Sequence, residues 1–269
     1  MRIRQGVKDT VRLMAELIGL LSRRFGWALL LGLALAAAAL LLFAGLADEV
    51  LEGDTRRFDE AVRRAVHQSA SPPLTSLMWV VTSLGSVSFL VLVGLCAVLV
   101  FLRAGWRRAA RFFPITMAGA ALLNMVLKLS FQRTRPAPFF DTPLPSSYSF
   151  PSGHALMSLC FYGALAAIVT ARTRSRTGRV VIWTLAALLV ALIGFSRVYL
   201  GVHYPSDVLA GYAAATVWVA AVALGDRLVG RDAVPPSAVI GRVRRLFHLC
   251  VLALFPFTYP LAQSPQPAP

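Results

Sequence analysis

Charged residues are scarce in this chain of 269 residues, where they make up 14% of the sequence. Soluble globular domains carry about 25% charged residues, so a soluble globule of this size would be short of surface charge. Hydrophobic residues make up 57% and the mean hydropathy is +0.68, which excludes an intrinsically disordered chain. The composition therefore predicts a membrane protein with several transmembrane helices, and the length then limits the number of spans.

Cysteine and lysine are also rare. The three cysteines, Cys96, Cys160 and Cys250, lie in apolar runs and have the spacing of neither a disulfide framework nor a metal site. We expect them to be packing residues. The only lysines are Lys8 and Lys128, so arginine carries nearly all of the positive charge. The 19 glycines and 16 prolines follow no period, which excludes a collagen-like repeat.

Six stretches without a charged residue are long enough, or nearly so, to cross about 30 Å of hydrocarbon. They are residues 25–47, 77–102, 112–127, 155–171, 180–196 and 208–225. The last four are short, so polar residues at their ends should lie near the membrane interface. The predicted fold class is therefore all-α, a polytopic six-transmembrane-helix bundle over residues 25–228.

Basic residues are distributed unequally between the two sides of these spans. The N-terminal segment and the loops after the second, fourth and sixth spans hold most of the arginines and few acids, whereas the charges on the other side balance. The positive-inside rule makes the basic side cytoplasmic, so both termini are expected in the cytoplasm, at the inner (plasma) membrane. The net charge of +15 then reflects topology and contacts with anionic lipids, and no nucleic-acid partner is expected.

Two amphipathic segments flank the first span. Residues 1–24 carry an apolar stripe at helical spacing and predict a helix on the cytoplasmic membrane surface. A second helix, over about residues 54–66 with Phe58, Val62 and Val66 on one face, should lie on the outer surface between the first two spans.

The tail, residues 229–269, is expected to be cytoplasmic or interfacial. Residues 246–262 could lie on the membrane or form a seventh span, and lying on the surface is favoured because it keeps the C-terminus inside. Residues 264–269, rich in proline, should be disordered.

Three clusters of polar residues lie at the outer ends of the spans, and no such cluster lies at the inner ends. They comprise Lys128 to Arg135-Pro136, Pro151-Ser152-Gly153-His154, and Ser196-Arg197 through His203 to Asp207. Ionisable groups at the boundary of the bilayer are costly and indicate a functional site.

The residue types in these clusters indicate a site for a phosphate group. Lys128, Arg135 and Arg197, together with backbone N–H groups, suit a multiply charged oxyanion. The segment Pro151-Ser152-Gly153-His154 is typical of a helix start, because proline suits the first turn. Glycine there allows close approach of a ligand, and free N–H groups face an anion.

Two histidines beside an anion site can divide the chemistry, because one can attack phosphorus while the other protonates the leaving oxygen. Pro205 is suited to open the sixth span, which places Asp207 in its first turn, four residues after His203. Asp207 would then hold one ring nitrogen of His203 and leave the other nucleophilic.

Each polar residue taken alone also has a structural interpretation. Arg133 and Lys128 would be interfacial anchors, His67 and His248 would be capping or packing residues, and Asn124 would be a polar contact between helices. Anchoring does not explain why all three clusters lie on one face, which favours a functional site.

The three clusters resemble the signature of the type-2 phosphatidic acid phosphatase superfamily, which includes bacterial lipid diphosphate phosphatases, glucose-6-phosphatase and vanadium haloperoxidases. The family pattern is Lys, six residues, Arg-Pro; then Pro-Ser-Gly-His; then Ser-Arg, five residues, His, three residues, Asp. This sequence matches all three parts without a gap over residues 128–207. The resemblance implies six membrane helices, a site facing away from the cytoplasm, and no metal or other cofactor.

The resemblance also implies roles for individual residues. His203 looks like the nucleophile that forms a phosphohistidine, Asp207 like its orienting partner, and His154 like the general acid. The implied phosphate-binding residues are Lys128, Arg135, Ser152, Gly153 and Arg197.

The resulting expectation is a membrane-embedded phosphohydrolase of the phosphatidate, phosphatidylglycerol phosphate or undecaprenyl diphosphate class. Its expected partners are a phosphorylated lipid substrate and the bilayer, and the sequence sets no oligomeric state. Two alternatives stay open: a phosphotransferase in which an acceptor alcohol replaces water, and a non-catalytic lipid-binding or transport protein of the same fold. A haloperoxidase is disfavoured, because those members are largely soluble.

Overall fold

A computed structural model of the chain describes residues 27–140 and 146–228, and the regular structure in this part of the chain is all helical. The predicted surface helix over 1–24 and the tail over 229–269 lie outside the described residues. The helices are α1 (Trp27–Glu52), α2 (Arg56–Gln68), α3 (Pro72–Ser83), α4 (Val87–Arg103), α5 (Arg107–Phe131), α6 (Gly153–Thr170), α7 (Arg176–Tyr199) and α8 (Pro205–Leu228).

Five helices, α1, α5, α6, α7 and α8, are long and apolar enough to cross a membrane. The pair α3 and α4 meets the same criterion as a unit bent by 49° and makes a sixth span when counted together. The prediction of an all-α, six-span membrane fold is confirmed in this form.

The second span differs from the continuous stretch predicted over 77–102, because it breaks between α3 and α4. Gly85, in the break, packs so closely that a Cβ atom there would lie 2.6 Å from Ile193 of α7 and 3.1 Å from His154 of α6. Ser86 then caps α4 by accepting a hydrogen bond from the Phe89 N–H at 3.3 Å. Glycine and serine favour such a stop and restart, since both are weak helix formers and serine is a good N-cap.

Helix α6 is central and packs against α5, α7 and α8. Small residues let α8 approach it closely: a Cβ atom on Gly211 would lie 2.7 Å from the Ser152 carbonyl oxygen and 3.0 Å from Ala155. Cys160 of α6 is fully buried, as expected of a packing residue. The outer helices α1, α4 and α7 leave many leucine and valine side chains exposed, as a surface surrounded by lipid requires.

The basic loops meet at one end of the bundle. Arg108, at the start of α5, donates a hydrogen bond of 2.7 Å to Asp226 near the end of α8. Arg172, which follows α6, lies over the ring of Trp106, which precedes α5, 4.0 Å from the ring centroid. The three polar clusters lie at the opposite end, where α5 and α7 finish and α6 and α8 begin. The cytoplasmic location of the basic end stays a prediction.

Helix α2 lies between the first two spans as predicted, and it contacts the bundle through the face that carries Asp59 and Arg63. Both residues are buried, whereas Phe58 on the predicted apolar face is 56% exposed. Asp59 and Arg63 find hydrogen-bond partners at the start of α8 and in the connection before α6, which offsets the cost of burying their charges. The location of α2 on the outer membrane surface stays a prediction.

We expect Gly211→Ala to lower the free energy of unfolding by about 1–3 kcal/mol, because the added methyl group meets the Ser152 backbone in a well-packed interface. Gly225→Ala on the same helix is the control, since a Cβ atom there meets nothing within 4 Å and should be neutral or slightly stabilising. Thermal unfolding of both proteins in detergent measures the difference, and equal stabilities would contradict the tight α6–α8 contact.

Candidate active site

The predicted site residues lie at the ends of four helices and in two connections. Lys128 is in the last turn of α5 and Arg197 is in the last turn of α7. Ser152, Gly153 and His154 open α6, and Asp207 is in the first turn of α8. Arg135 is in the connection before α6, and His203 is in the connection before α8. The structure brings all eight to one end of the bundle.

His203 and Asp207 form a buried pair. The His203 Nδ1 lies 3.2 Å from the Asp207 Oδ2, and the side chains are 2% and 0% exposed. The Tyr204 N–H donates to the same carboxylate oxygen at 2.9 Å. Gly201 makes the sharp turn before His203 possible, since its φ is +75° and a Cβ atom there would lie 2.8 Å from the Phe139 backbone nitrogen.

The contacts of His203 define which ring nitrogen carries the proton. Burial lowers the pKa of His203 to about 3, against the opposing effect of the Asp207 carboxylate, so the imidazole is neutral at physiological pH. A neutral ring that donates from Nδ1 to Asp207 has its lone pair on Nε2. That nitrogen lies 3.0 Å from the Arg135 Nη1, which donates to it.

Arg135 and Lys128 are held by backbone carbonyl groups. The Arg135 guanidinium donates to the carbonyl oxygens of Ser147 at 2.7 Å and Val202 at 2.9 Å. The Lys128 ammonium donates to the Tyr148 carbonyl oxygen. Because carbonyl groups carry no net charge, this way of holding the two cations leaves their positive charge available to an anion.

Arg197 is 7% exposed and donates to the Thr82 Oγ1 at 2.7 Å. Thr82 comes from the end of α3, so the bent second span contributes directly to the site. Within residues 27–140 and 146–228, neither Arg197 nor Lys128 nor Arg135 forms an ion pair. The three cations therefore form a positively charged cluster with no carboxylate partner in the described part of the chain.

His154 is in the first turn of α6, at the same end of the bundle as this cluster. The Gly85 break in the second span packs against its ring.

Ser152 and Gly153 start α6 and face the same region. Ser152 is fully buried, and its N–H donates to the Asp207 carbonyl oxygen at 2.9 Å. Its Oγ is buried and has no hydrogen-bond partner among the described residues, which suits a hydroxyl that binds a ligand. Asn124 lies beside Gly153, since a Cβ atom there would lie 3.3 Å from the Asn124 amide group. The Asn124 Oδ1 is buried and has no hydrogen-bond partner among the described residues, so its role as a polar contact between helices stays a prediction.

A cavity of about 390 Å³ opens beside Lys128, between α5 and the connection to α6. Its lining residues are Asn124, Met125, Lys128, Leu129, Ser146, Ser147 and Tyr148. On the α5 side the lining combines apolar Met125 and Leu129 with Lys128 and Asn124, and the connection side is polar. Such a mixed lining suits a molecule with a charged head group and an apolar body.

Sequence reasoning missed several residues that hold the site together. Arg133, interpreted as an interfacial anchor, instead pairs with Asp207 at 2.7 Å and with Asp59 at 2.8 Å. Ser149 also donates a hydrogen bond to Asp207. The sequence feature that could have placed Arg133 at the site is its position two residues before Arg135, because alternate residues of an extended segment face the same way.

The arrangement can bind a phosphate group and transfer it. The cationic cluster provides charge and hydrogen-bond donors, His203 provides a neutral imidazole whose orientation is fixed, and His154 provides a second ionisable ring close by. Among residues 27–140 and 146–228, no three His, Cys, Asp or Glu side chains form a group that could hold a metal ion.

Comparisons with known proteins identify relatives of this chain. The family model of the PAP2 superfamily matches residues 109–228. Phosphatidylglycerophosphatase B of Bacillus subtilis is 33% identical over 175 residues, which cover 64% of this chain and 85% of that protein. An undecaprenyl-diphosphatase of Sulfolobus acidocaldarius is 35% identical over 103 residues, which cover 36% of this chain and 46% of that protein.

The fold is also similar to the crystal structure of a transmembrane PAP2 type phosphatidylglycerolphosphate phosphatase from Bacillus subtilis. The similarity has a TM-score of 0.67 with 29% sequence identity and covers 74% of this chain and 98% of that chain.

We expect Thr82→Val to lower the free energy of unfolding by about 1–3 kcal/mol, because the buried Arg197 guanidinium loses an acceptor while the side-chain shape is kept. Ser76→Ala is the control on the same helix. It removes an exposed hydroxyl that bonds to the Pro72 carbonyl within α3 and should change stability by less than about 0.5 kcal/mol. Thermal unfolding in detergent separates the two variants, and a Thr82→Val protein as stable as the wild type would show that the contact contributes nothing.

Proposed function

This chain belongs to the PAP2 superfamily, and from that premise we propose that it hydrolyses a lipid phosphate or diphosphate through a phosphohistidine on His203. The family resemblance inferred from the three clusters is confirmed. The Bacillus subtilis and Sulfolobus acidocaldarius relatives described above are lipid phosphatases. One observation carries the mechanistic proposal: the buried His203–Asp207 pair presents its remaining ring nitrogen to Arg135, within the cationic cluster.

Substrate binding is the first step of the proposed mechanism. The phosphate oxygens take hydrogen bonds from Lys128, Arg135 and Arg197, and from the Ser152 hydroxyl and the Gly153 N–H at the start of α6. Arg135 turns its Nη1 from the His203 Nε2 to a phosphate oxygen, and this exchange frees the lone pair that attacks.

Phosphoryl transfer follows in line. The lone pair on the His203 Nε2 forms the P–N bond, the P–O bond to the leaving group breaks, and its electron pair stays on the leaving oxygen, which takes a proton from the imidazolium form of His154. The negative charge of the bound phosphate favours this protonated form. Asp207 stabilises the positive charge that develops on the His203 ring.

Hydrolysis of the phosphohistidine returns the site to its starting state. His154, now neutral, takes a proton from a water molecule as the water oxygen bonds to phosphorus. The electron pair of the P–N bond returns to the His203 Nε2 and inorganic phosphate is released. The three cations provide the charge stabilisation that a metal ion would otherwise supply, and we therefore include metal independence in the proposal.

We place the reaction on the extracytoplasmic side of the inner membrane. The support is the separation of the site from the arginine-rich loops, which lie at the opposite end of the bundle and which the positive-inside rule assigns to the cytoplasm. The relatives' names support phosphatidylglycerol phosphate and undecaprenyl diphosphate as candidate substrates. The cavity beside Lys128 suits the segment of lipid next to the head group.

The proposed chemistry is tested with a panel of phosphatidate, phosphatidylglycerol phosphate and undecaprenyl diphosphate in detergent, measuring phosphate release. We expect turnover of at least one substrate, and a loss of kcat on the order of 10⁴-fold in His203→Ala, because the attacking group is gone. Ser130→Ala is the control, since Ser130 is exposed on α5 and bonds to the Val126 carbonyl.

Label trapping gives a direct measurement of the intermediate. Wild-type protein quenched during turnover of a ³²P-labelled substrate should carry label that neutral hydroxylamine removes, and His203→Ala should carry none. Equal activity in His203→Ala and wild type would contradict the proposal. Transfer of the label to an added alcohol instead of water would identify a phosphotransferase.

We also expect EDTA to leave kcat within about twofold of its value without chelator, because positively charged side chains stabilise the transition state. Protein dialysed against EDTA is compared with untreated protein on the best substrate of the panel. A loss of activity that added Mg²⁺ restores would contradict metal independence while leaving the role of His203 standing.

A further inference from the structure

Asp59 is a fully buried carboxylate on the polar face of α2, outside all three sequence clusters. It is 0% exposed. The Ser206 N–H donates to its Oδ1 at 3.0 Å and the Ser206 hydroxyl to its Oδ2 at 2.7 Å. Arg133 donates to the same Oδ2 at 2.8 Å. A buried charge with this many directed partners holds a defined geometry.

Arg133 joins Asp59 to the His203–Asp207 pair. Its Nη2 bonds to Asp59, and its Nη1 donates to the Asp207 Oδ1 at 2.7 Å. Its guanidinium also lies over the ring of Tyr204, 4.2 Å from the centroid. The planar guanidinium thus spans two carboxylates with fixed geometry, which a flexible ammonium group would not do.

The two oxygens of Asp207 have different tasks in this arrangement. Oδ2 faces His203, and Oδ1 is held by Arg133. Ser149 and the Tyr204 N–H also bond to Oδ2. Because a carboxylate turns about a single bond, the direction of Oδ2 toward the imidazole depends on these contacts and on how firmly Oδ1 is held. Arg133 can hold it firmly only if its own long side chain is fixed, and Asp59 fixes the other arm of the guanidinium.

Asp59 also distinguishes Arg133 from the three cations of the cluster. Arg133 lies between two carboxylates, whereas Lys128, Arg135 and Arg197 have no ion-pair partner in the described part of the chain. The charge of Arg133 is therefore neutralised within the protein, and Arg133 serves Asp207 instead of the phosphate group.

A second contact shows that α2 docks on both loops of the site. Arg63, one turn after Asp59, donates to the Ala137 carbonyl oxygen at 2.7 Å and to the Gly201 carbonyl oxygen at 3.3 Å. Ala137 follows Arg135, and Gly201 precedes His203. The polar face of α2 thus contacts the segment that carries the proposed phosphate ligand and the segment that carries the proposed nucleophile.

We propose that Asp59 is a positioning residue, which acts through Arg133 to orient Asp207 and thereby the imidazole of His203. This inference rests on the proposed function. Asp59 itself touches neither substrate nor the reacting nitrogen, so its loss should affect the rate of the chemical step and leave substrate binding unchanged.

The test compares kcat and KM of Asp59→Asn with wild type on the best substrate of the panel. Asn keeps the shape of the side chain but turns an amide toward Arg133 or Ser206, which releases Arg133. We expect kcat to fall about tenfold to hundredfold, with KM within about twofold. Asp54→Asn is the matched control, because Asp54 is an exposed aspartate just before the same helix.

A double-mutant cycle separates positioning from general loss of structure. In an Arg133→Gln background, Asp59→Asn should lower kcat by less than about threefold further, because the effect of Asp59 passes through Arg133. If the reductions in kcat of the two single variants multiply in the double variant, the inference is overturned. It is also overturned if Asp59→Asn has a kcat within twofold of wild type, or if its main change is in KM.

Ser206→Ala provides a milder variant in case Asp59→Asn does not fold. It removes the hydroxyl that bonds to both Asp59 and Arg133. We expect a several-fold fall in kcat without a change in KM. An unchanged kcat would overturn the inference. A wild-type protein inactive on the whole panel would contradict the proposed function, while an active wild type with an equally active Asp59→Asn would contradict only the positioning role.

Discussion

The buried carboxylate of Asp207 is the interaction on which the rest of this site depends. It is 0% exposed and accepts hydrogen bonds from His203, Arg133, Ser149 and the Tyr204 N–H. A carboxylate withdrawn from water is costly unless its oxygens are satisfied. The donors come from the connection before α6 and the turn before α8, and the acceptor is in α8, so satisfying one side chain fixes the relative positions of these segments.

Much of the architecture could be predicted from the sequence because the membrane imposes strong rules. A helix that crosses hydrocarbon must be long and apolar, so runs without charge mark the spans. The residues of the candidate site could also be located from the sequence, because the three clusters lie at the ends of spans and each is a short local pattern. The helix start at Gly153 and the turn that carries His203 follow from local signals of glycine and proline.

Other features depended on contacts between distant residues, which no local pattern contains. The break at Gly85 reflects close packing against α6 and α7. Its glycine and serines are weak helix formers, but the stretch carries no charge, so the count of charge-free residues did not mark the break. The apolar pattern of α2 predicts the helix but does not show that Asp59 is buried, because its partners Ser206 and Arg133 are distant in the sequence. Arg133 looked like an interfacial anchor because its two carboxylate partners lie 74 residues away in either direction.

The hydrogen bond from Arg135 to the Nε2 of His203 has a consequence for selectivity. The lone pair that the proposed mechanism requires accepts this hydrogen bond, which would protect the ring from other electrophiles and from metal ions. An uncharged molecule would not attract the Arg135 guanidinium and would leave the contact in place. In the proposed mechanism, an anion that draws the guanidinium away exposes the nitrogen, so the phosphate group of the substrate would itself release the nucleophile.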